Sequence, residues 1–474
     1  MEKIWHCPVC GQDFPGEQPP DPCPICGASA ALFTSADAPA PKKWRCMVCG
    51  QVFEGDHPPV PCPVCGAGEQ AFEPVAEETE VFHRDTQEHF VLIGGGAAAM
   101  ECAKALRQRN KTAAITMICG EGVLPYNRPA LSDVVADGLS YLSIMLQDAS
   151  WYENEQNFTM VTEAKAARIL PNEKKVELEN GQTLSYDKLL IATGADPFMP
   201  VTLAPDAMPA FSLRTFADAQ ALLSAAKPQR HAAIMGGGIL GIEAAVALAG
   251  RGLKVTVLEY GDRIIKAQAD EFVSKRLAEH LESRGMTVRT GVSVSRVEKD
   301  HLLLSDGSAL ACDLVLVSAG VRSQTALAKD CGIAVERGIV VDASMRTSLP
   351  DIYAAGDCAE YQGRTCGLWS TAAAMGKTAG SAMAGQPETE YLPLPPATVF
   401  EEDGISIFSA GNTGSPNSQT LLFENRFSNI YRKLVFEGGR LTGVIFYGDT
   451  AGAASAIDLL GKNAAMKQAI ALLA

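Results

Sequence analysis

Basic charge is scarce in this chain of 474 residues, where 40 Lys and Arg stand against 55 Asp and Glu for a net charge of −15. Nucleic acid and anionic membrane surfaces both require basic patches, so neither is an expected partner. The first 80 residues are poorer still, with four Lys or Arg against twelve Asp or Glu. That excess suits a solvated surface or docking on a basic face. Long apolar runs are missing too, which excludes a bilayer-spanning helix. The start, MEKIWHC, has no basic segment followed by an apolar stretch, so secretion is not indicated and a cytoplasmic protein is expected. Six cysteines, Cys102, Cys119, Cys312, Cys331, Cys358 and Cys366, are scattered without a pairing pattern, as reduced thiols are in a cytosol.

The remaining eight cysteines are ordered. Cys7, Cys10, Cys23 and Cys26 form a C-x-x-C, a spacer and a second C-x-x-C, and Cys46, Cys49, Cys62 and Cys65 repeat that set. Two tight knuckles offer four thiolates in a tetrahedron around one soft metal. The duplication extends past the ligands, since Trp5, Gly16, Pro19 and Phe33 recur as Trp44, Gly55, Pro58 and Phe72. Units this small bury too little apolar surface to fold alone, so metal must supply much of their folding free energy. Zinc and iron both accept four sulfurs, and spacing does not choose between them.

A hydrophobic fraction of 47% is ample for large cores, and the length allows three to five domains. Segments 34–43 and 74–80 read as linkers after each cysteine module. From His89 onward, apolar strands alternate with amphipathic helices, the pattern of parallel sheets made of βαβ units. Two units begin alike, HFVLIGGGAAAMECAKAL at 89 and HAAIMGGGILGIEAAVAL at 231. Strand, glycine turn and helix together place a pyrophosphate at a helix N-terminus. In the second unit Gly236 and Gly238 serve the turn, Gly241 serves helix packing, and Glu259 ends the next strand, where a carboxylate accepts ribose hydroxyls and favours NADH over NADPH. In the first, Gly94 and Gly96 are in place, Ala99 takes the third position, and Glu121 is the nearest acid to the end of the next strand. After the proline cluster at 391–400, two alternating strands with a Gly-Gly turn and an Ala-rich helix running through the C-terminus suggest a small α+β cap.

Residues 44–72 resemble the rubredoxin-type domain carried by rubrerythrins, with an aromatic before the first cysteine and CPxCG at the second knuckle, and residues 5–33 resemble it as well. That resemblance implies a mononuclear iron cycling by single electrons. Over about 88–390 the chain resembles the flavoprotein reductases of the pyridine nucleotide-disulfide oxidoreductase superfamily. The matching segments are LPYNRPALSD at 124, YDKLLIATGA at 186, LVSAGVRSQ at 316 and DIYAAGDCAE at 351. The resemblance implies that Arg128, Thr193, Gly194 and Asp357 contact FAD, with Asp357 on the ribityl chain, that Gly320 closes the NADH domain, and that Glu243 lies near the nicotinamide. The usual lysine partner of that glutamate is replaced by Asp133.

The expected fold is therefore an α/β flavoprotein with two Rossmann-like dinucleotide-binding domains. The expected domains are rubredoxin-like modules at 1–35 and 43–75, an FAD domain at 86–210 and 326–392, an NADH domain inserted at 211–325, and an α+β domain at 393–474. The chain has no redox cysteine pair beside the flavin segment, so electrons must leave the flavin for another acceptor. The resemblance implies an NADH:rubredoxin oxidoreductase that passes electrons through FAD to its own two iron centres. From there they would reach redox proteins such as rubrerythrin or a flavodiiron protein in oxygen and peroxide defence. The competing expectation is an NADH oxidase whose modules are zinc ribbons used for protein docking.

Overall fold

The computed structural model describes residues 3–6, 13–16, 18–22, 24, 29–30, 33–35, 43–75, 82–365, 367–386, 388–393, 395–402, 404–415 and 417–473. The first set of metal-binding cysteines, Cys7, Cys10, Cys23 and Cys26, and also Cys366, lie outside them.

Two five-stranded parallel sheets dominate. One has the order Ile352–Ala354, Lys188–Ile191, His89–Ile93, Ala114–Ile118, Phe158–Val161. The other has the order Ala210–Phe211, Leu314–Val317, His231–Met235, Lys254–Glu259, Thr287–Thr290. The chain leaves the first sheet at Ile191 and returns to it at Ile352, after building the second. Both read as near-continuous Val, Ile, Leu and Ala because helices and loops cover both faces. Burying each large aliphatic side chain contributes about 1.5–3 kcal/mol.

The resemblance between the two βαβ units reaches single atoms. His89 and His231 each begin the strand before a glycine turn. Their backbone N–H groups donate to Asp187 and Asp313, both at 2.7 Å, and their Nε2 atoms meet the hydroxyls of Thr116 at 2.8 Å and Thr256 at 2.9 Å. In the first unit the helix Ala97–Arg109 lies against Trp369–Met383 backbone to backbone. A Cβ at Gly376 would fall 2.1 Å from the Ala98 carbonyl oxygen, and one at Gly380 2.5 Å from that of Cys102.

The C-terminal region holds more strands than the sequence suggested. Five antiparallel strands run in the order Ala397–Glu402, Ile405–Gly411, Arg440–Tyr447, Ile430–Glu437, Gln419–Asn425. The expected hairpin is there, turning at Gly438 and Gly439, but its strands are buried on both faces and do not alternate. The expected continuous helix is broken into Ala453–Gly461 and Met466–Ala469, followed by a 3-10 turn, with Asn463 between them in the left-handed region. The break lets Leu441 N–H donate to Ala464 O at 2.8 Å and ties the two pieces to the sheet.

The second cysteine module is a three-stranded sheet, Val52–Glu54, Lys43–Cys46, Phe72–Pro74. The ends of both expected linkers belong to strands. Thr34–Ser35 pairs with Lys3–His6, Lys43 opens a strand, and Val75 N–H donates to Lys43 O at 3.0 Å. Among the described residues no helix is long and apolar enough to cross a membrane.

Candidate functional site

Cys46, Cys49, Cys62 and Cys65 converge so that all four sulfurs lie within 4.8 Å of one another. Cys46 and Cys65 are 3.6 Å apart, Cys49 and Cys62 3.7 Å. A tetrahedron with metal–sulfur bonds of about 2.3 Å has edges of roughly 3.8 Å, so the cage fits one soft metal ion. Mutual hydrogen bonds split the thiols, holding Cys46 and Cys62 down and pushing Cys49 and Cys65 up. Gly50 and Gly66 follow the knuckles with φ of 75° and 74°, and their amides close each turn on the carbonyls of Cys46 and Cys62. The duplicated modules share their scaffold: Trp5 and Trp44 donate their indole N–H to Gly16 O and Gly55 O, both at 3.1 Å. The pairs Phe14–Phe33 and Phe53–Phe72 meet edge-on, with ring centres 5.7 and 6.0 Å apart.

The two glycine turns have matching geometry. Gly94 and Gly236 have φ of 137° and 116°, and a Cβ on either would lie 2.2 Å from a carbonyl oxygen, of Ala192 and Ser318 respectively. Gly96 and Gly238 are the N-caps of the following helices, neither with a side-chain cap, and open space surrounds the position of their missing Cβ. A cradle of free N–H groups at a helix N-terminus fits a pyrophosphate. Gly241 packs so closely that a Cβ would meet Gly236 O at 2.1 Å, while Ala99 is fully buried at the corresponding place. Glu259 accepts from Gly237 N–H and Gly261 N–H, each at 2.6 Å, so its carboxylate is fixed beside the second turn.

Glu121 sits within a polar cluster. It accepts from Tyr126 Oη at 2.6 Å and pairs with Arg128, whose guanidinium also lies over the Tyr126 ring and donates to Arg214 O. Arg214 gathers the remaining segments, donating to Asp357 at 2.7 Å and to Ala195 O at 3.1 Å, next to Thr193 and Gly194. Thr193 donates to Gln324 O at 2.9 Å, and Gly320 O accepts from Phe198 N–H at 2.9 Å, which binds the 316–324 segment to the 193–198 segment. The structure thus brings Glu121, Arg128, Thr193, Gly194 and Asp357 into one neighbourhood and places Gly236, Gly238, Gly241 and Glu259 in another. Glu243 is half-buried on the helix Ile239–Gly250. Burial, then the carboxylates of Glu402 and Asp133, push its carboxyl up to about 8. The position where a lysine was expected therefore raises the pKa of Glu243 instead of neutralising its charge.

No poised thiolate lies near the first glycine turn among the described residues. Cys102 is fully buried with its thiol pushed up, its sulfur 3.8 Å from that of Met383. Burial, with Glu121 nearby, pushes Cys119 up to about 12.

Three residues escaped the sequence reading. Arg214 follows no motif. Asn127 is buried and donates from Nδ2 to Pro63 O, between Cys62 and Val64, at 2.7 Å. Cys46, Cys49, Cys62 and Val64 lie in the same apolar cluster as Phe408, Phe436 and Phe446 of the C-terminal sheet. Trp369 packs against both that cluster and the core of the first parallel sheet. The CPxCG and NRP patterns mark the two partners of the Asn127 bond but not their contact.

Two glycine-turn domains, one interrupted by the other, with a four-cysteine module at hand, define a two-nucleotide flavoprotein-type oxidoreductase. The chain belongs to the pyridine nucleotide-disulphide oxidoreductase family, whose model matches residues 88–376. The rubrerythrin rubredoxin-like domain matches 5–34 and 44–73, and the rubredoxin NAD+ reductase C-terminal domain matches 396–464. The assimilatory nitrate reductase electron transfer subunit of Bacillus subtilis is 34% identical over 383 residues, 80% of this chain and 50% of that protein. The chain spans about half the length of several such relatives. It covers 90% of the NADH-rubredoxin oxidoreductase of Clostridium acetobutylicum, at 32% identity over 76% of its own length. The crystal structure of NADH:rubredoxin oxidoreductase from that organism aligns with a TM-score of 0.67 at 28% identity, over 82% of this chain and 99% of that one. Family membership implies FAD and a nicotinamide nucleotide, and the cysteine cage implies a metal.

Proposed function

We propose that the chain is an NADH:rubredoxin oxidoreductase that carries its own acceptors, drawing electrons from NADH through FAD into iron held by its cysteine modules. From there they pass to redox proteins such as rubrerythrin or a flavodiiron protein, in cytoplasmic oxygen and peroxide detoxification. The observation that supports this best is the bond from Asn127 to Pro63, because it joins a metal-binding knuckle to the segment that carries Arg128. When bound, FAD and two ferric ions would supply the exchange of one hydride for two single electrons, so that one NADH yields NAD+, one proton and two ferrous ions.

The residues of the chain bind and align. The N–H groups after Gly94 and Gly96 receive the FAD pyrophosphate, and those after Gly236 and Gly238 receive that of NADH. Asp357, held by Arg214, would accept from the ribityl chain of FAD, and Glu259 would accept from the ribose hydroxyls of NADH. Glu243, protonated at neutral pH, can donate a hydrogen bond to the nicotinamide side of the site. The raised thiols of Cys102 and Cys119 favour an outlet other than a disulfide.

The test is an anaerobic NADH titration with metal quantification. Two irons per chain that bleach with one equivalent of NADH support the reading. Two zincs and a pure flavin spectrum replace it with an NADH oxidase whose modules serve for docking.

A further inference from the structure

We infer that the second module is a fixed part of the reductase, and that Asn127 is the positioning residue that keeps its second knuckle on the flavin segment. The inference rests on the proposed function for its meaning, but its geometry is independent of it. A module that merely visited the flavin from a tether would carry its own small core and present a polar surface to the body. In this one the apolar residues, Val48, Val64, Ala71 and Phe72 among them, are continuous with those of the C-terminal sheet. Its ligands Cys46, Cys49 and Cys62 are 0%, 3% and 2% exposed, and they belong to the apolar cluster built on Phe408, Phe436 and Phe446. A four-cysteine unit of this size has no such core of its own.

The polar contact supplies direction. Pro63 offers a carbonyl but no N–H, and it stands inside the second knuckle, one residue after Cys62. Asn127 stands one residue before Arg128, and its own N–H is anchored on Ile144 O at 2.7 Å. The bond at 2.7 Å therefore fixes the knuckle against a segment that is itself fixed. Trp369 fills the space between the first parallel sheet and the module's cluster, so packed side chains connect the two without a break.

A fixed module receives electrons at a rate that does not depend on its linker. A tethered one follows effective concentration, which falls as about the −3/2 power of linker length, so that adding about twenty residues to a linker of about seven slows it roughly eight-fold. The experiment inserts such a Gly-Ser stretch between Val75 and Phe82 in the full chain, with and without Asn127→Asp, which replaces the donor by a repelling carboxylate. Iron bleaching after rapid mixing with NADH is compared with flavin reduction. Hydrogen exchange of peptides 60–67 and 124–131 is followed in the zinc-loaded protein.

The expected result is that the insertion changes neither bleaching nor exchange in the otherwise native chain. In Asn127→Asp both peptides exchange faster, and bleaching becomes several-fold slower once the linker is lengthened. Faster exchange or slower bleaching from the insertion alone overturns the inference, as does an Asn127→Asp chain indistinguishable from the native one. Protection that survives the insertion while iron never bleaches leaves the docking standing and removes the electron-transfer function.

Discussion

Arg214 and Asp357 lie 143 positions apart in sequence and meet at 2.7 Å, the guanidinium donating to a carboxylate only 13% exposed. Removing one partner of a shielded pair leaves the other charge uncompensated, at a cost of about 1.5–3 kcal/mol for the charged hydrogen bond. Arg214→Ala should bind FAD at least ten-fold more weakly, with Arg214→Lys between it and the native chain. Fluorescence of flavin released on dilution measures this, and undiminished retention in Arg214→Ala would remove the residue from the site.

Glu259 is held by two backbone N–H groups at 2.6 Å, so it is already in place when a nucleotide arrives. Glu259→Ala should raise KM for NADH about ten- to a hundred-fold while changing that for NADPH far less, which matches loss of one or two charge-assisted hydrogen bonds. Steady-state kinetics with both nucleotides provide the check, and equal losses for the two contradict the assignment.

Metal binding and folding should be coupled in the second module. Cys62→Ser removes a ligand that is 2% exposed and should halve the metal content. It should also lower the unfolding temperature of the C-terminal sheet, whose apolar cluster includes the knuckle. Elemental analysis with calorimetry tests both, and a sheet that melts unchanged would contradict the shared core.

Stability should depend on pH through Glu243. Its carboxyl is raised to about 8 by burial and by Glu402 and Asp133. An acid whose folded pKa exceeds its unfolded value, about 4.3, gives stability that is complete below the unfolded value and is lost as pH rises through the folded one. Between pH 5 and 9 the native chain should therefore lose stability relative to Glu243→Gln. A difference in melting temperature that stays constant over this range would show that Glu243 titrates normally.

Asp270 joins the second parallel sheet's domain to the C-terminal sheet. It caps the helix Glu271–Ser283, accepts from Tyr431 Oη at 2.6 Å and from Lys433 at 3.0 Å, and the Tyr431 ring stacks on Phe272. Asp270→Ala should cost about 3–5 kcal/mol, because it strands a shielded lysine as well as removing the cap. Chemical denaturation would reveal the loss, and a change below about 1 kcal/mol would show that the junction carries no load.

What the sequence disclosed was local. A glycine turn, a C-x-x-C knuckle and the strand before each are contiguous, so Gly94, Gly236 and Cys46 could be placed from their neighbours alone. The duplication was visible as spacing, and the paired indole bonds of Trp5 and Trp44 express it in three dimensions. The Arg214–Asp357 and Asn127–Pro63 bonds were hidden because each joins segments 64 or more residues apart, and nothing in either segment specifies its partner. Three of the C-terminal strands escaped for a different reason. Ala397–Glu402, Ile405–Gly411 and Gln419–Asn425 lack the two-residue burial alternation by which strands are recognised, Ile405–Gly411 being mostly buried and Gln419–Asn425 mostly exposed. The helix break at Asn463 depends on Leu441 reaching Ala464, again a distant partner.

The common cluster of the second knuckle and Phe408, Phe436 and Phe446 also bears on supply. A chain synthesised during metal scarcity would lack the ion that organises one flank of its C-terminal sheet, and the aromatic rings beneath would meet solvent and proteases. Resistance to proteolysis would then follow metal loading.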